Sequence, residues 1–313
     1  MKSYLQVGDI GLENTVKFVN KNALNFNKRY MLIDGKLFCL PTKLIDLFVP
    51  RKPFSPFILY GLKDLITKQI DLSSLGDISV DTFFKYRFGQ EIVDYLINPL
   101  CIGISGGNSK TLSMKSMFPN LLRKEQTFGS VVRGMFAKED IYKDLINHWL
   151  VEKSINQKWA VFSFDRGIQT LSEAIISHLQ KNYMSIIELM PNNEAIEITF
   201  NNADSVEITV EQIKKNISLN LQVDHIFASI PAFKLSSILG IEKHEKLKHA
   251  LQSIPTVNMA LVSFLFDQNV IPDHLAGFGF LVPSIENSAI LGVTFDSCIF
   301  PNVKGTKLTV KLV

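Results

Sequence analysis

The first clear pattern in the chain is a pair of apolar runs separated by a turn signal. Residues 29–40, RYMLIDGKLFCL, place aromatic and aliphatic side chains on both sides of Asp34-Gly35. An Asp-Gly pair between two such runs favours a tight hairpin turn, because both residues tolerate a positive φ. The pattern predicts a β-hairpin over residues 29–40.

Helical spacing of apolar residues replaces this pattern in the next part of the chain. Apolar residues recur with helical spacing in residues 56–70 and 80–104. Within the first of these segments, the apolar cluster Phe57-Ile58-Leu59-Tyr60 stands beside Lys63 and Lys68. Two interpretations of this cluster stay open: a helix face that lies in a membrane interface, or an amphipathic helix packed on its own lobe.

Short strands return from Trp159 onward. Residues 159–182 predict a strand, a turn and a helix, and several short strands follow up to Ala232. Residues 256–267, TVNMALVSFLFD, predict a buried strand, and GFGFLVPS and KLTVKLV predict further strands near the C-terminus. The predicted fold class is therefore mixed α/β (α+β), arranged in two lobes.

Composition is that of an ordinary globular protein and argues against two kinds of site. The 313 residues are 46% hydrophobic and carry 33 Lys and Arg against 30 Asp and Glu, a net charge of +3. The basic residues are scattered among acidic ones, so we expect no nucleic-acid partner. The three cysteines lie far apart and the six histidines form no ligand motif, which predicts no metal site.

The most specific segment is residues 277–301, GFGFLVPSIENSAILGVTFDSCIFP, which combines glycines, aromatics and aliphatics. Its glycines permit close backbone approach or unusual φ, and its apolar residues suit a pocket wall or a glycine-kinked core strand. The run GFGFLVPS resembles a segment of the protoporphyrinogen oxidases. Residues 28–44, 88–134 and 224–232 resemble the same family in the same order.

The resemblance implies a fold, a reaction and partners. The fold would be that of flavin amine oxidases, with an FAD-binding part, a mixed-sheet substrate domain and an inserted helical lobe that associates with a membrane. The reaction would be the oxidation of protoporphyrinogen IX to protoporphyrin IX with FAD and molecular oxygen, the penultimate step of haem biosynthesis. The enzyme would be a homodimer at the mitochondrial inner membrane.

The N-terminal residues depart from this family. Flavoproteins of this class begin with a GxGxxG turn that holds the pyrophosphate, and residues 1–27 lack that motif. We therefore expect the chain to correspond to the middle of such an enzyme. Two alternatives stay open: a non-catalytic remnant scaffold of the family, or another flavin amine oxidase.

The resemblance divides the chain into four approximate segments. The predicted segments are 1–44, part of the substrate and FAD lobe; 45–158, the helical membrane-associating lobe; 159–232, part of the FAD-binding lobe; and 233–313, the substrate-binding sheet.

The same resemblance assigns roles to individual residues. No catalytic side chain is expected, because the flavin carries out the oxidation. Arg29 would hold a propionate of the macrocycle through two parallel hydrogen bonds, and Tyr30 would stack on the macrocycle or fill the core. The other expected contacts are Leu100, Gly103, Phe278 and Leu281 with the macrocycle, and Asn192, Ile230, Pro231 and Ala232 with FAD.

Two positions depart from the family pattern. Arg166 replaces one of the paired glycines in the turn Asp165-Arg166-Gly167-Ile168, which would open a helix under the cofactor. Lys311 stands near the substrate pocket, where relatives commonly have methionine. A buried lysine without a partner would be costly there.

Overall fold

The structure is a computed structural model and describes residues 2–137, 148–202, 205–215, 217–240, 244–300 and 305–312. These residues form helices and mixed sheets, which confirms the predicted mixed α/β class. The chain divides into two units, Met1–Ile176 with Asn258–Val313, and Ser177–Val257. No helix within the described ranges is long and apolar enough to cross a membrane.

The helices and strands are numbered in chain order. The α-helices are α1 Lys2–Asp9, α2 Leu24–Asn27, α3 Phe57–Ile66, α4 Leu72–Leu75, α5 Val80–Arg87, α6 Gln90–Ile92, α7 Asn98–Ser105, α8 Met114–Met117, α9 Pro119–Phe128, α10 Val131–Phe136, α11 Trp149–Asn156, α12 Gln169–Tyr183, α13 Ala232–Ile238, α14 Glu245–Gln252 and α15 Asp296–Ile299. The strands are β1 Val16–Asn20, β2 Tyr30–Ile33, β3 Lys36–Cys39, β4 Trp159–Phe164, β5 Asn193–Asn202, β6 Ser205–Gln212, β7 Ile217–Val223, β8 Ala260–Phe266, β9 Gly279–Leu281, β10 Ile290–Thr294 and β11 Thr306–Leu312.

The first unit contains a six-stranded mixed sheet in the order β3-β2-β9-β10-β11-β8. Strands β2 and β9 run parallel, and the other neighbours run antiparallel. The predicted hairpin is confirmed: β2 and β3 pair across Asp34 and Gly35, whose φ angles are 50° and 70°. These angles match a type I′ turn, which the Asp-Gly signal favours.

The exposed strand β8 corrects one prediction. Residues 256–267 do contain a strand, but every residue of β8 is exposed, so the prediction of a buried strand was wrong. The physical reason is position, since β8 lies at the edge of the sheet and pairs with β11 alone. A continuous apolar run suggests a strand that is covered on both faces, and the described residues of the first unit leave β8 uncovered.

A long helix crosses the first unit and changes its hydrogen-bonding pattern in the middle. Helix α6 continues through a π-helical turn, Val93–Ile97, into α7. Pro99 lies in the first turn of α7 and cannot donate the hydrogen bond that a regular helix would need at this point. A π turn next to a proline shifts the register, so the helix continues without breaking.

The helical lobe packs around an apolar core and one buried charged network. The core centres on Phe83, Phe84, Val93 and Cys101, all of which are buried. Beside it, Arg87, Asp64 and Glu125 are completely buried and form two ion pairs. The guanidinium of Arg87 also donates to backbone carbonyls of Asp64, Thr67, Lys68 and Gly129.

The second unit is a three-stranded antiparallel sheet in the order β5-β6-β7, with α13 and α14. Helix α13 ends against the sheet, where Ile198 forms a bridge to Leu239 and its carbonyl accepts the Gly240 N–H at 2.9 Å. Both Ile198 and Leu239 are buried. The division into four functional segments stays a prediction, because contacts within the chain define only these two units.

Candidate ligand-binding site

An apolar cavity of about 310 Å³ lies in the first unit, where helix α7 packs over strands β9 and β10. Its walls are Arg29, Tyr30, Met31, Leu40, Leu96, Leu100, Gly103, Ile104, Phe278, Gly279, Phe280, Leu281, Gly292, Val293, Thr294 and Lys311. All six residues that we expected to contact a macrocycle are among them. The walls include two cations and no Asp or Glu, so the cavity combines apolar surface with positive charge.

Two glycines let the backbone come close at this cavity. Gly279 has a φ of +134°, and a Cβ atom there would lie 2.0 Å from the Val293 carbonyl oxygen. A Cβ atom on Gly103 would lie 2.8 Å from Cδ2 of Leu281. Only glycine fits the first position without moving backbone, which explains the second glycine of the GFG run. At Gly103, glycine leaves room for the helix against β9.

The segment from residue 277 to residue 281 serves both of its expected uses. Phe280 packs against Phe295 beside Val293 in a small core cluster. Phe278 and Leu281 line the cavity. Phe280 also lines the cavity, so the same short segment both packs in the core and forms part of the pocket wall.

Arg29 lies against a pair of aromatic rings at the cavity, Phe26 and Phe278, which also contact each other edge to face. Its Cζ atom is 5.0 Å from the ring centroid of Phe26 and 5.0 Å from that of Phe278, within cation–π range. Partial burial lowers the pKa of Arg29, but a guanidinium stays charged at neutral pH. Among the residues that the structure describes, no carboxylate forms an ion pair with it, so its planar donors are available to a ligand.

Tyr30 is buried and its hydroxyl donates to the His274 carbonyl at 3.3 Å. Desolvation raises the pKa of Tyr30, with smaller contributions from Cys39 and Cys298. Of its two expected uses, this geometry favours filling of the core, with one edge of the ring at the cavity.

A polar clamp holds α7 in place over the sheet. Asn98, at the start of α7, donates to the Ser284 hydroxyl at 2.9 Å and accepts from the Ser109 N–H at 3.0 Å. Ser284 ends the LVPS run and Ser109 lies in the GGNSK run. Two motifs that are separate in sequence therefore meet at one asparagine, which positions Leu100 and Gly103 at the cavity.

Lys311 is partly buried at the cavity and has a partner. Its Nζ atom donates to the Gly103 carbonyl at 2.8 Å, so the concern about an unpartnered lysine does not apply to this structure. Sequence reasoning singled out the residue without finding its partner, because 208 positions separate Lys311 from Gly103.

The residues expected to contact FAD lie in the second unit. Asn192 is exposed with a φ of 61°, and Ile230 is exposed just before α13. Pro231 is the N-terminal cap of α13 and supplies no side-chain acceptor, so the leading N–H groups of Ala232 and its successors have no side-chain partner at the cap. Exposed apolar surface next to uncapped N–H groups fits a ligand with both apolar and polar parts.

The turn at Asp165 has the expected local structure. Gly167 has a φ of 87° and α12 begins at Gln169, so the segment does open a helix. Asp165 forms an ion pair with Lys17 at 3.0 Å, which holds the turn against β1. Arg166 is exposed beside it.

Several walls of the cavity were missed from sequence. Met31, Leu40, Leu96, Gly292 and Thr294 line it, but as single residues they look like ordinary core positions. Leu96 comes from the π turn, where helical spacing fails by one residue. Met31 and Gly292 reach the cavity because both pair directly with Leu281, and this cross-strand register gives no signal in the sequence.

Comparison with known proteins confirms the family resemblance. No family model matches the chain. The protoporphyrinogen oxidase of Bos taurus is 31% identical over 316 residues, which cover 99% of this chain and 63% of the bovine protein. The mitochondrial protoporphyrinogen oxidase of Nicotiana tabacum is 31% identical over 315 residues, covering 95% of this chain and 60% of that protein.

A solved structure has the same fold. The crystal structure of a candidate protoporphyrinogen oxidase from an Exiguobacterium species superimposes with a TM-score of 0.70 over 100% of this chain and 63% of that one, at 17% identity. At this identity the likeness establishes the fold. The chain thus spans somewhat under two thirds of the proteins that it matches.

Proposed function

We propose that this chain carries the substrate cavity of a protoporphyrinogen oxidase, an enzyme that oxidises protoporphyrinogen IX to protoporphyrin IX in haem biosynthesis. The bovine and tobacco relatives support this reaction by their names, over 99% and 95% of the chain. The cavity supports it independently, because its apolar walls and cations suit a large apolar ring with acidic side chains. Molecular oxygen would be the electron acceptor.

Arg29 is the observation that carries the proposal. This guanidinium lies at an apolar cavity against two aromatic rings, and no described residue offers it a carboxylate partner, so its bidentate donor edge is available to a ligand. A propionate supplies the matching acceptor. Leu100, Gly103, Phe278 and Leu281 would then contact the ring itself, and Tyr30 would hold the wall behind Arg29.

FAD would be held in part by Asn192 and by Ile230, Pro231 and Ala232. When bound, FAD would supply the acceptor for the hydrogens that leave the macrocycle. The protein orients the substrate and excludes water: Arg29 would fix one end of the substrate, and the apolar walls would keep water away from the ring. No side chain of the cavity is assigned as a general base in this proposal.

The helical lobe would bind the surface of the mitochondrial inner membrane. Phe57 and Tyr60 pack on the core of their own lobe, but Leu59, Leu62 and Ile66 form an exposed stripe on the other face of α3. The neighbouring 3₁₀ turn Leu44–Phe48 exposes three more large apolar side chains, Leu44, Ile45 and Phe48. A contiguous exposed apolar surface of this kind fits the lipid interface.

The mitochondrial relative from tobacco supports that location. On the family resemblance alone, the proposal also includes a homodimeric enzyme.

The test of the reaction is a flavin and turnover experiment on the 313-residue chain. We expect the protein to retain a flavin absorption band after incubation with FAD and desalting, and to produce porphyrin fluorescence from protoporphyrinogen IX. A folded protein that binds porphyrin but retains no flavin would instead support the remnant scaffold. Turnover of amines with none of protoporphyrinogen would support another flavin amine oxidase.

The test of the membrane surface is sedimentation with phosphatidylcholine vesicles that contain anionic lipid. Replacing both Phe48 and Ile66 with Ser should shift the protein from the pellet to the supernatant, because it removes two large exposed apolar side chains. Ile213→Ser is the matched control, since Ile213 is also exposed but lies in the second unit. Equal loss of sedimentation in both variants would contradict the assignment of the surface.

A further inference from the structure

The second cation of the cavity, Lys311, has no role in the reaction as proposed above. It lies on β11, lines the cavity and forms no ion pair among the residues that the structure describes.

The sheet places Lys311 and Arg29 on one face. Met31, Leu281, Gly292 and Lys311 are direct cross-strand partners on β2, β9, β10 and β11, and we call these four residues the cavity row. Arg29 precedes Met31 by two residues, and alternate residues of a strand share a face. The two cations therefore approach the cavity from the same side of the sheet.

The same row separates the two cations. Three strand-to-strand steps lie between β2 and β11, and each step is about 4.8 Å, so the two strands lie about 14 Å apart. Two side chains that start this far apart reach opposite ends of the cavity more readily than a single point in it. One carboxylate at Arg29 would leave Lys311 without an anion.

The ammonium of Lys311 is held in place by one hydrogen bond and keeps further N–H donors available. Nζ donates at 2.8 Å to the carbonyl of Gly103, in the last turn of α7. A cation is favourable there, because the last carbonyls of a helix carry partial negative charge. An ammonium has three N–H donors, so two remain for a ligand in the cavity.

We infer that Lys311 is a second carboxylate-binding residue of this cavity, which takes a macrocycle with acidic side chains at two separate points of its ring edge. Arg29 holds one carboxylate in a bidentate geometry, and Lys311 pairs with another at the far end of the cavity row. The inference rests on the proposed function, since it deepens the description of the same site. Lys311 would therefore make the cavity select ligands by the number and position of their carboxylates.

The test uses three porphyrins as probes of the 313-residue chain and follows porphyrin fluorescence during titration. Protoporphyrin IX carries two carboxylates, coproporphyrin III carries four, and protoporphyrin IX dimethyl ester carries none. Lys311→Met removes the charge and keeps the length and apolar character. We expect it to weaken binding of at least one of the two free acids by about tenfold, the effect of one lost charge-assisted hydrogen bond, and to leave binding of the ester unchanged.

The two free acids locate the second acidic group. A loss with protoporphyrin IX would show that Lys311 binds one of its two propionates. A loss confined to coproporphyrin III would show that Lys311 binds an additional propionate, and that the cavity distinguishes the two rings. Lys311→Arg, which retains the charge, should restore most of the affinity.

Two results would overturn the inference, and they differ from failure of the proposed function. Equal weakening of all three porphyrins by Lys311→Met, with a lower melting temperature, would mean that Lys311 only holds the end of α7. Unchanged affinity for all three would remove the residue from the site, while loss of affinity in Arg29→Met would still uphold the main proposal. If the wild-type chain binds none of the three porphyrins, both proposals fall.

Discussion

Two arginines in the first unit are used in opposite ways. Arg87 is completely buried, forms ion pairs with Asp64 and Glu125, and donates to four backbone carbonyls. Arg29 is exposed at a cavity, lies against the rings of Phe26 and Phe278, and forms no ion pair with the described residues. The protein satisfies the first guanidinium entirely, whereas it orients the second and leaves its hydrogen-bond donors available.

The difference separates a structural cation from a binding cation. A buried guanidinium without partners would be destabilising, so the fold surrounds Arg87 with acceptors from two segments of the helical lobe, residues 64–68 and 125–129. Cation–π contacts need no acceptor atoms, so they position Arg29 without using its donors. Mutations should therefore act on stability at Arg87 and on binding at the cavity.

The largest expected effect is loss of stability in Arg87→Met. It leaves Asp64 and Glu125 as buried carboxylates without their counter-ion, which costs about 3–5 kcal/mol in comparable cases. Urea unfolding should show this difference in the free energy of unfolding. Lys85→Met is the matched control, because Lys85 is exposed on the same helix and should change stability by less than about 0.5 kcal/mol.

A stable Arg87→Met variant would contradict the account of this network. The hydroxyl of Ser130 and the N–H of Val132 both donate to Asp64, so they would then have to compensate for the lost guanidinium.

Gly103→Ala should have a smaller effect on stability than Arg87→Met, and it should mainly weaken porphyrin binding. In Gly103→Ala the new Cβ meets Cδ2 of Leu281, the far end of a flexible side chain, which must move within the cavity wall. We expect weaker protoporphyrin binding and a loss of stability of about 1 kcal/mol, the low end for an added methyl group, because the Leu281 side chain can move. Fluorescence titration and thermal melting measure the two quantities separately.

Gly61→Ala is the control for the added methyl group. Gly61 lies within α3, where a Cβ atom would meet no atom within 4 Å, so alanine should stabilise the helix slightly and leave porphyrin binding unchanged. Equal porphyrin affinity in Gly103→Ala and the wild type would argue against the ligand lying next to α7.

At neutral pH the smallest effect is the one at Cys101, which appears only as the pH rises above 9. Burial raises the pKa of its thiol from 9.0 to about 11. A raised pKa in the folded state means that the contribution to stability is complete below pH 9, and is lost as the pH rises toward about 11. Urea unfolding at pH 7 and pH 10.5 should show a smaller pH-dependent loss in Cys101→Ser than in the wild type, and equal losses in the two proteins would contradict the assignment.

The sequence predicted local structure better than it predicted burial. The hairpin at Asp34-Gly35 followed from turn chemistry, and the exposed strand β8 was mistaken for a buried one because its apolar run says nothing about what covers it. Family resemblance led to Arg29 and Phe278, but not to Met31 or Leu96, which join the cavity through cross-strand register and a π turn. The network around Arg87 was not predicted at all, because its partners lie up to 42 positions away.

Long-range contacts explain most of what was missed at the site. Lys311 donates to a carbonyl 208 positions away, and Asn98 reaches a serine 186 positions away. Neither contact has a local signature, so sequence could name these residues or their motifs without showing that they meet.

The central claim is that the fold reserves the donors of Arg29 for a carboxylate of a tetrapyrrole. The most direct measurement is titration of the wild-type chain, Arg29→Met and Arg29→Lys with protoporphyrin IX and with its dimethyl ester, together with the melting temperature of each protein. We predict that Arg29→Met binds the free acid at least tenfold more weakly, that Arg29→Lys recovers only part of the loss, and that neither variant changes ester binding or melting temperature. Unchanged affinity for the free acid, or a loss that follows the melting temperature, would contradict the claim.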